Sequence, residues 1–556
     1  MNAAAKPEAA DVVILGAGVN GAGLFRDLCE QGVRCFLADK ADFGSGTSAA
    51  PSRLIHGGLK YLETGELRLV SESTLERNLL LRNAPHCVSP LPTIIPIFSW
   101  TKGIGAALRT MAGSTSAPRS RGVFLIKIGL LLYDFYGSRS RTMPRHKLVG
   151  KRRALRDMPG LTSSIVGAGT YYDAQISRPE RLVFELVQDG LRASPDSTAL
   201  NYTRLVSANG GTLTFATADG GTRAVRPAVV VNAAGPWIDL VNAALGVPSN
   251  MIGGTKGSHI LLDHDELVRR LNGRMIYFEA DDGRICLVFD YGGRALVGST
   301  DIPASNPDDV CCEDSEIDYF LDSLRSLLPG LSFARDQIVY AYSGIRPLPA
   351  SDASTPGLIS RDHSAPVSEA KGDRTFPIIS LVGGKWTTFR GFAGQVTDTI
   401  LARLGRKRRK STRALPIGGG AAFPATAADR ARWLGEAARA TGLAEARLEQ
   451  LLTRYGTTAL AIARHRAKWS DAERLPGAPD YSLAEIDFIV RNERIVHLAD
   501  IVMRRTTLAI TGALTARDLD AIAAAAGDAL GWDAPRSAAE VASVTAELTG
   551  KHRARL

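Results

Sequence analysis

The chain has 556 residues, of which 45% are hydrophobic and 22% charged, and a formal net charge of +10. That length exceeds what one core ordinarily serves, so two or three domains are expected; the composition is that of a soluble globular protein, and without an uncharged apolar run of about 18 residues no spanning helix is expected. The charge calls for an anionic partner, a phosphorylated substrate or an anionic membrane surface, and nucleic acid is set aside for want of any helix-turn-helix, zinc-finger or aromatic RNA-binding motif.

From Asp11 the chain reads DVVILGAGVNGAGLFRDLCEQGVRCFLAD. Val12, Val13, Ile14 and Leu15 form a short, mostly β-branched apolar run, the pattern of a strand buried on both faces. Gly16, Gly18 and Gly21 follow with GxGxxG spacing: the first permits a tight turn, the second lets a pyrophosphate approach the backbone, and the third lets helix and strand pack closely. Residues 19–31 have helical period, with N-terminal amides facing that pyrophosphate. Residues 35–38 predict a second buried strand, ending at Asp39, whose carboxylate is placed to accept from a ribose hydroxyl. The unit predicts a dinucleotide site, with NAD and FAD both open at this point.

The small residues Gly44 to Ser48 suit backbone packed against a ligand, with Thr47 and Ser48 available to phosphate or ribose oxygens. After Ser52, the run Leu54, Ile55, His56, Gly57, Gly58 sets a ring beside two positions without side chains, so a flat heterocycle could lie there. Residues 67–83 repeat Leu69, Val70, Leu75, Leu79 and Leu80 between Glu and Arg, which predicts a surface helix. Between Pro90 and Gly137, Phe98, Trp100, Met111, Phe124 and Ile126 mix with Lys102, Arg109, Arg119, Arg121 and Lys127. A basic segment with apolar anchors fits an interfacial membrane contact; the other reading makes 123–135 a core helix.

Further on, a strand passes into a helix opening near Pro179, 212–215 and 223–225 read as hairpin strands, and 229–232 as a buried strand ending in AAGPW, where Gly235 allows close approach and Trp237 packs nearby. Residues 250–345 predict an antiparallel sheet, with Lys256, Gly257, Ser258 and His259 leading into a strand at 260–262. Arg346 and Arg361 follow, then a strand at 378–382 ending at Gly383, Gly384 and Lys385, with Thr387 and Thr388 at a helix start: a second cluster of donors. The basic run 403–413 reads as a linker, either solvated or near anionic lipid, and the Ala-rich residues beyond it as a separate C-terminal helical domain. Six cysteines without metal spacing or a disulfide framework, and no apolar signal stretch before the first strand, suit a reducing cytosol.

GAGVNGAG, GTSAAPSRLIHGGLKYLE, VVNAAGPW, KGSH, VGSTD, YSGIRPL, SRDH and VGGKWTTFR occur in that order, and together they resemble the FAD-dependent glycerol-3-phosphate dehydrogenase family from about residue 10 to 395. The resemblance implies an α/β fold: an FAD-binding Rossmann-like domain of the two-dinucleotide-binding-domain type (1–95 with 150–250 and 345–400), an antiparallel-sheet substrate and membrane-proximal domain (96–149 with 251–344), a basic linker (401–420) and a C-terminal helical domain (421–556). The strand returning at 229 favours FAD over NAD.

Oxidising a secondary alcohol with a flavin needs a hydride path from the carbinol carbon to flavin N5, a base for the hydroxyl proton and cations for any phosphate. Arg346 is the expected anchor, because its planar fork binds bidentately; Lys60, Arg361 and Lys385 are further candidates. The resemblance places Lys60, Tyr61, Arg346, Lys385 and Thr388 beside the substrate, with Lys60 standing where the family more often has Arg. His56 and His259 are the candidate bases. Cofactor contacts are expected from Gly16, Gly18, Gly21, Asp39, Thr47, Ser48, Ser52, Leu54, His56, Gly57, Gly235, Trp237, Gly384 and Lys385, and no metal set is read among the nine histidines. The expected reaction is oxidation of sn-glycerol 3-phosphate to dihydroxyacetone phosphate, with electrons passed to a membrane quinone, by a cytoplasmic protein held peripherally on the inner face of the membrane. Alternatives are a dehydrogenase of another polyol phosphate such as a tetritol phosphate, an oxygen-using oxidase, and a non-enzymatic flavin or nucleotide sensor. A homodimer is compatible with each.

Overall fold

In the computed structural model, residues 7–58, 66–100, 123–137, 143–280, 282–304, 306–350, 362–466 and 468–556 are described. The opening strand–helix–strand unit is β1 (Glu8–Leu15), α1 (Val19–Cys29) and β2 (Cys35–Ala38). Val12 and Ile14 enter one apolar cluster while Val13 and Leu15 enter another, because alternate residues of a strand point to opposite faces and both faces of this sheet are covered. The strand reaches back to Glu8 because its parallel ladder with the strand Thr222–Asn232 runs from Glu8 opposite Val225 to Leu15 opposite Asn232. The two apolar runs read separately at 223–225 and 229–232 are thus halves of one strand, the first half of which also pairs antiparallel with Thr212–Ala216. Among the described residues this sheet has eight strands, with a parallel centre ordered Ile378–Ser380, Thr222–Asn232, β1, β2, Thr198–Leu200.

The second sheet has ten strands among the described residues. It sets Thr255–Leu262 between Arg294–Gly298 and Ile338–Arg346, all antiparallel. At its far end the two-residue β3 (Leu54–Ile55) edges the sheet; β4 (Val88–Ile97) and β5 (Gly167–Ile176) pair along ten residues, with β5 between β3 and β4. β3, β4 and β5 therefore lie in the second sheet, although 1–95 and 150–250 read from sequence as the FAD-binding part. The strand expected at 378–382 is broken in two: Ile378–Ser380 stays in the first sheet, and Val382–Gly383 pairs with His363–Ser364.

α2 (Leu67–Asn83) is not the surface helix that its charged residues suggested. It packs against α3 (Val123–Gly137) and the helix Phe389–Arg403, burying Glu76 and Arg77 along with Leu69, Val70, Leu79 and Leu80, while Leu75 is exposed. The charges are tolerated there because each meets an opposite one: Arg390 on Glu76, and Asp173 on Arg77 at 3.1 Å. α3 has a buried face, as the core-helix reading expects, and an exposed apolar one. Ile126, Leu130 and Tyr133 pack with Val70, Ile95, Ile97 and Tyr171, whereas Ile128, Leu131 and Leu132 are exposed, as are Phe98 and Trp100 before it. Among the described residues no helix is long and apolar enough to cross a membrane. Lys102, Arg109, Met111, Arg119 and Arg121 lie outside the described residues.

The C-terminal region is helical as expected, with Ala427–Thr441, Glu445–Tyr455, Leu483–Asn492, Ala516–Leu530 and Ala534–His552 among its helices. It does not stand apart: Leu452, Ile489 and Ile522 share one apolar cluster with Leu261, Phe289 and Tyr342 of the second sheet. The basic run before it stays largely exposed, but several of its charges are paired. Arg406 pairs with Asp11 at 2.9 Å, Arg408 with Asp27 at 3.0 Å and Asp398 at 2.7 Å, and Lys410 with Glu30 at 2.8 Å. The Gln31 side-chain oxygen also accepts from the backbone N–H groups of Arg409 and Lys410, so the run is strapped along α1.

Candidate functional site

A cavity of about 1890 Å³ opens between the two sheets and the C-terminal helices, larger than the roughly 300–1,000 Å³ of an ordinary small-ligand cleft. The first sheet supplies Gly16, Gly18, Asp39, Gly235, Trp237, Gly384 and Lys385 to its wall; the segment after β2 supplies Thr47, Ser48, Ser52, Leu54 and His56, and the second sheet His259 and Arg346.

The glycine turn is built for close approach. Gly16 has φ +101°, and a Cβ there would lie 2.7 Å from the Ala233 carbonyl oxygen; a Cβ on Gly21 would lie 1.9 Å from the Gly16 oxygen. Gly21 accordingly packs helix on strand and is not part of the cavity wall. Asp39 accepts from the Ala17 N–H at 2.6 Å and the Ala41 N–H at 2.9 Å. Burial still prevails over these bonds and pushes its carboxyl up to about 6, the state of a buried acid awaiting further donors. Asn20, on the wall at the start of α1, has a buried side-chain oxygen without a partner. The Ser48 hydroxyl accepts from the Val19 N–H at 2.9 Å and keeps its own proton to donate, whereas the Thr47 hydroxyl donates to the Ile345 carbonyl at 2.6 Å and so is already committed. Trp237 donates its indole N–H to Asp308 at 2.9 Å, and the Lys40 ammonium stands 4.4 Å from its ring centre.

On the second sheet, Gly257 and His259 are two residues apart on one strand and share a face. Over Gly257 lies the Arg346 guanidinium, 2.1 Å from where a Cβ would be; it donates to Asp301 and to the Ser299 hydroxyl at 3.1 Å each. His259 is 1% exposed, stacks on Tyr342 at 4.8 Å, and meets the Ser52 hydroxyl through Nε2 at 2.8 Å, while its Nδ1 is buried without a partner. Burial, then Arg346, then Arg53 hold its pKa well below the ordinary histidine value, so the imidazole is neutral. Arg53, buried and paired with Glu180 at 2.8 Å, is a part of the site that sequence reasoning missed; its place inside PSRLIHGG was the available signal. Tyr342 opens the YSGIRPL motif, but its place against His259 follows only from strand register.

Gly57 is not on the wall; its amide donates to the Tyr133 hydroxyl oxygen and to Asp173, which is buried and also borders the cavity. Thr388 is also off the wall: it is 1% exposed at the start of a helix and its hydroxyl bonds the Lys385 carbonyl at 3.4 Å. Lys385 is buried and donates to the Ser73 hydroxyl at 3.2 Å. Lys60, Tyr61 and Arg361 lie outside the described residues.

Among the described residues one cluster has metal-ligand chemistry: ligand atoms of His86, Cys87 and Glu185, all buried, lie within 4.8 Å of one another. The His86 Nε2 to Glu185 distance of 2.8 Å is a hydrogen bond, shorter than the roughly 3.4 Å that two ligands about 2.1 Å from a tetrahedral ion would keep. Burial opposes charge on His86, yet Cys87 and Glu185 raise its pKa to about 10, which favours a buried His86–Glu185 ion pair.

Residues 11–389 match the FAD dependent oxidoreductase family, and residues 410–537 match the C-terminal domain of alpha-glycerophosphate oxidase. A glycerol-3-phosphate dehydrogenase of Synechocystis is 32% identical over 90% of this chain and 89% of its own length. A D-erythritol 1-phosphate dehydrogenase of Brucella abortus is 30% identical over 90% of this chain and 95% of its own. Among solved structures, glycerol-3-phosphate dehydrogenase of Bacillus halodurans complexed with FAD superposes with a TM-score of 0.74 at 22% identity, covering 97% of this chain and 94% of that one, which establishes the shared fold.

Proposed function

We propose, from the premise that the chain belongs to the FAD-dependent glycerol-3-phosphate dehydrogenase family, that it oxidises sn-glycerol 3-phosphate to dihydroxyacetone phosphate and hands the electrons to a membrane quinone. FAD is its cofactor and, when bound, supplies the hydride acceptor. The fit rests on the chain's own groups: the Gly16 turn without room for a Cβ, the Asn20 oxygen without a partner and the Asp39 carboxylate pushed up by burial.

The observation that carries the reading is the neighbouring of Arg346 and His259 on one face of the second sheet, both on the cavity wall. In this proposal Arg346 binds the phosphate through charge-assisted hydrogen bonds, and neutral His259 takes the proton of the carbinol hydroxyl. His56, on the same wall, is the alternative base. Lys385 adds a second cation to the substrate region.

Anaerobic addition of sn-glycerol 3-phosphate to the holoenzyme should bleach the flavin absorbance; no bleaching at millimolar substrate overturns the substrate assignment. A second reading, D-erythritol 1-phosphate or another tetritol phosphate, draws on the 30% identical Brucella relative and on Lys60. Ranking the two polyol phosphates by kcat/KM decides between them. Stoichiometric peroxide release without quinone reduction would instead support an oxidase. A peripheral position on the inner face of the cytoplasmic membrane is the matching proposal for the exposed Phe98, Trp100, Ile128, Leu131 and Leu132.

A further inference from the structure

β3 pairs with β5 only through Leu54 opposite Gln175 and Ile55 opposite Ala174. The next pair in that antiparallel register would bring His56 opposite Asp173, but there the ladder ends and the chain departs toward the cavity. His56 and Gly58 line the cavity, while Gly57 between them does not. Its N–H donates instead into a buried polar group, to the Tyr133 hydroxyl oxygen at 2.9 Å and to Asp173 Oδ1 at 3.1 Å. Arg77 closes the group by donating from one nitrogen to Tyr133 at 2.8 Å, to Asp173 at 3.1 Å and to the Tyr172 carbonyl at 3.1 Å, and Tyr133 donates its proton to Asp173. All three side chains are buried, with Arg77 at 1%, Asp173 at 2% and Tyr133 at 3% exposure.

Three elements distant in sequence thus converge on one backbone amide: Arg77 from α2, Tyr133 from α3 and Asp173 from β5. Substitution space at that amide is closed as well, since a Cβ on Gly57 would lie 2.5 Å from both Thr74 Cγ2 and the Tyr133 oxygen. Gly58 follows with φ +79°, so the direction in which the chain leaves the network sets where His56 and Gly58 stand. A buried network whose members are all satisfied holds one geometry, because any displacement leaves a polar group unpaired in a poorly solvating interior.

We infer that Tyr133, held by Asp173 and Arg77, is a positioning residue for the His56–Gly57–Gly58 turn, and that the precision of this turn is needed for substrate oxidation though none of the three side chains takes part in the chemistry. The inference rests on the reading of the cavity as a flavin and polyol-phosphate site. It assigns to α3, whose outer face is exposed, an inner face that serves the active site.

The test is Tyr133→Phe in the full-length holoenzyme, with Leu130→Ala, on the same buried face of α3, as the packing control. Tyr133→Phe keeps the ring and removes the nearer of the two acceptors for Gly57 and the donor to Asp173. Expected are FAD content like wild type, a rate of flavin reduction at saturating sn-glycerol 3-phosphate lowered about tenfold, and faster amide hydrogen exchange in the peptide covering 52–58. Leu130→Ala should lower Tm and leave that rate and that exchange unchanged. If Tyr133→Phe shares the Leu130→Ala pattern, the network is only structural and the inference fails. Should Tyr133→Phe not fold, Asp173→Asn, which keeps an oxygen for Gly57 while removing the charge, is read in the same way. Hydrogen exchange needs no substrate: if wild type is not bleached by glycerol 3-phosphate, the substrate assignment falls, while unchanged exchange at 52–58 overturns the positioning role.

Discussion

Asp42 and Arg505 are 463 residues apart in the chain and meet as a pair with no solvent exposure on either side chain, Arg505 donating to both carboxylate oxygens at 2.7 and 2.9 Å. Asp42 lies three residues past Asp39 in the segment that lines the cavity, and Arg504 also bonds it at 2.8 Å. Burial pushes the Asp42 carboxyl up, but the two arginines outweigh burial and hold it at about 2. The C-terminal helices therefore clamp the segment that follows the dinucleotide turn. Arg505→Met should leave the buried Asp42 carboxylate with Arg504 as its remaining cation and remove charge-assisted bonds worth about 1.5–3 kcal/mol, lowering Tm and FAD content together. An unchanged Tm would refute the clamp, and a lower Tm with wild-type FAD affinity would confine it to stability.

Asp39 gives FAD binding a pH dependence of defined sign. Its carboxyl sits at about 6 because burial raises it. A ribose hydroxyl donating to the carboxylate favours the ionised form, so FAD binds that form and releases a proton from any molecule still protonated. FAD affinity should be level above pH 6 and fall below it by up to about tenfold per pH unit, and Asp39→Asn should remove the dependence. Fluorescence titration of the apoprotein between pH 5 and 8 checks this; a flat wild-type profile would remove Asp39 from the site.

The parts of this site that could be read from sequence are those whose residues are neighbours in the chain. The β1–α1–β2 unit carries its apolar run, glycines and acid within 29 residues, from Asp11 to Asp39, and the fold follows. Arg53 meets Glu180 on a helix 127 residues on, and His259 meets Tyr342 through register between distant strands; the motifs that hold these residues mark them singly, and no local pattern announces the pairings. The basic run at 403–413 looked unpaired for the same reason: Arg408 finds Asp27 across 381 residues. Glu76 and Arg77 made α2 look like a surface helix because the partners that permit their burial lie on other elements.

If His259 is the base, the acid limb of kcat/KM should show no break near the ordinary histidine value. Burial, Arg346 and Arg53 all lower its pKa, so the imidazole stays neutral as pH falls through 6.5 and the rate is lost only well below it. His259→Gln should reduce flavin reduction by about 10²–10⁴-fold without loss of FAD. A break at or above 6.5 in the wild-type profile, or a His259→Gln rate near wild type, would transfer the role to His56.

Arg346→Ala should retain FAD and lose about 3 kcal/mol or more of transition-state binding, roughly hundredfold or more in kcat/KM, since two charge-assisted bonds to the phosphate go at once. Arg346→Lys keeps the charge but not the fork and should fall between. Steady-state kinetics with the flavin content of each variant measured separates lost substrate binding from lost cofactor, and a kcat/KM within threefold of wild type for Arg346→Ala would reject the anchor.

Ile128, Leu131 and Leu132 form the exposed side of α3, with Phe98 and Trp100 exposed nearby, on a chain of net charge +10. Burying a leucine side chain contributes about 1.5–3 kcal/mol, and a basic residue near an anionic surface about 1 kcal/mol, so insertion and charge should both matter. Salt weakens only the second contribution, as the Debye length shrinks from about 10 Å at 0.1 M to about 3 Å at 1 M. Binding to anionic vesicles should therefore weaken with salt without vanishing, and Leu131→Asp with Leu132→Asp should lower it about hundredfold while leaving anaerobic flavin reduction intact, because both side chains point away from the Tyr133 face. Cosedimentation checks both effects: absence of binding at low salt, or equal binding by the double variant, would mean that this apolar face does not meet lipid.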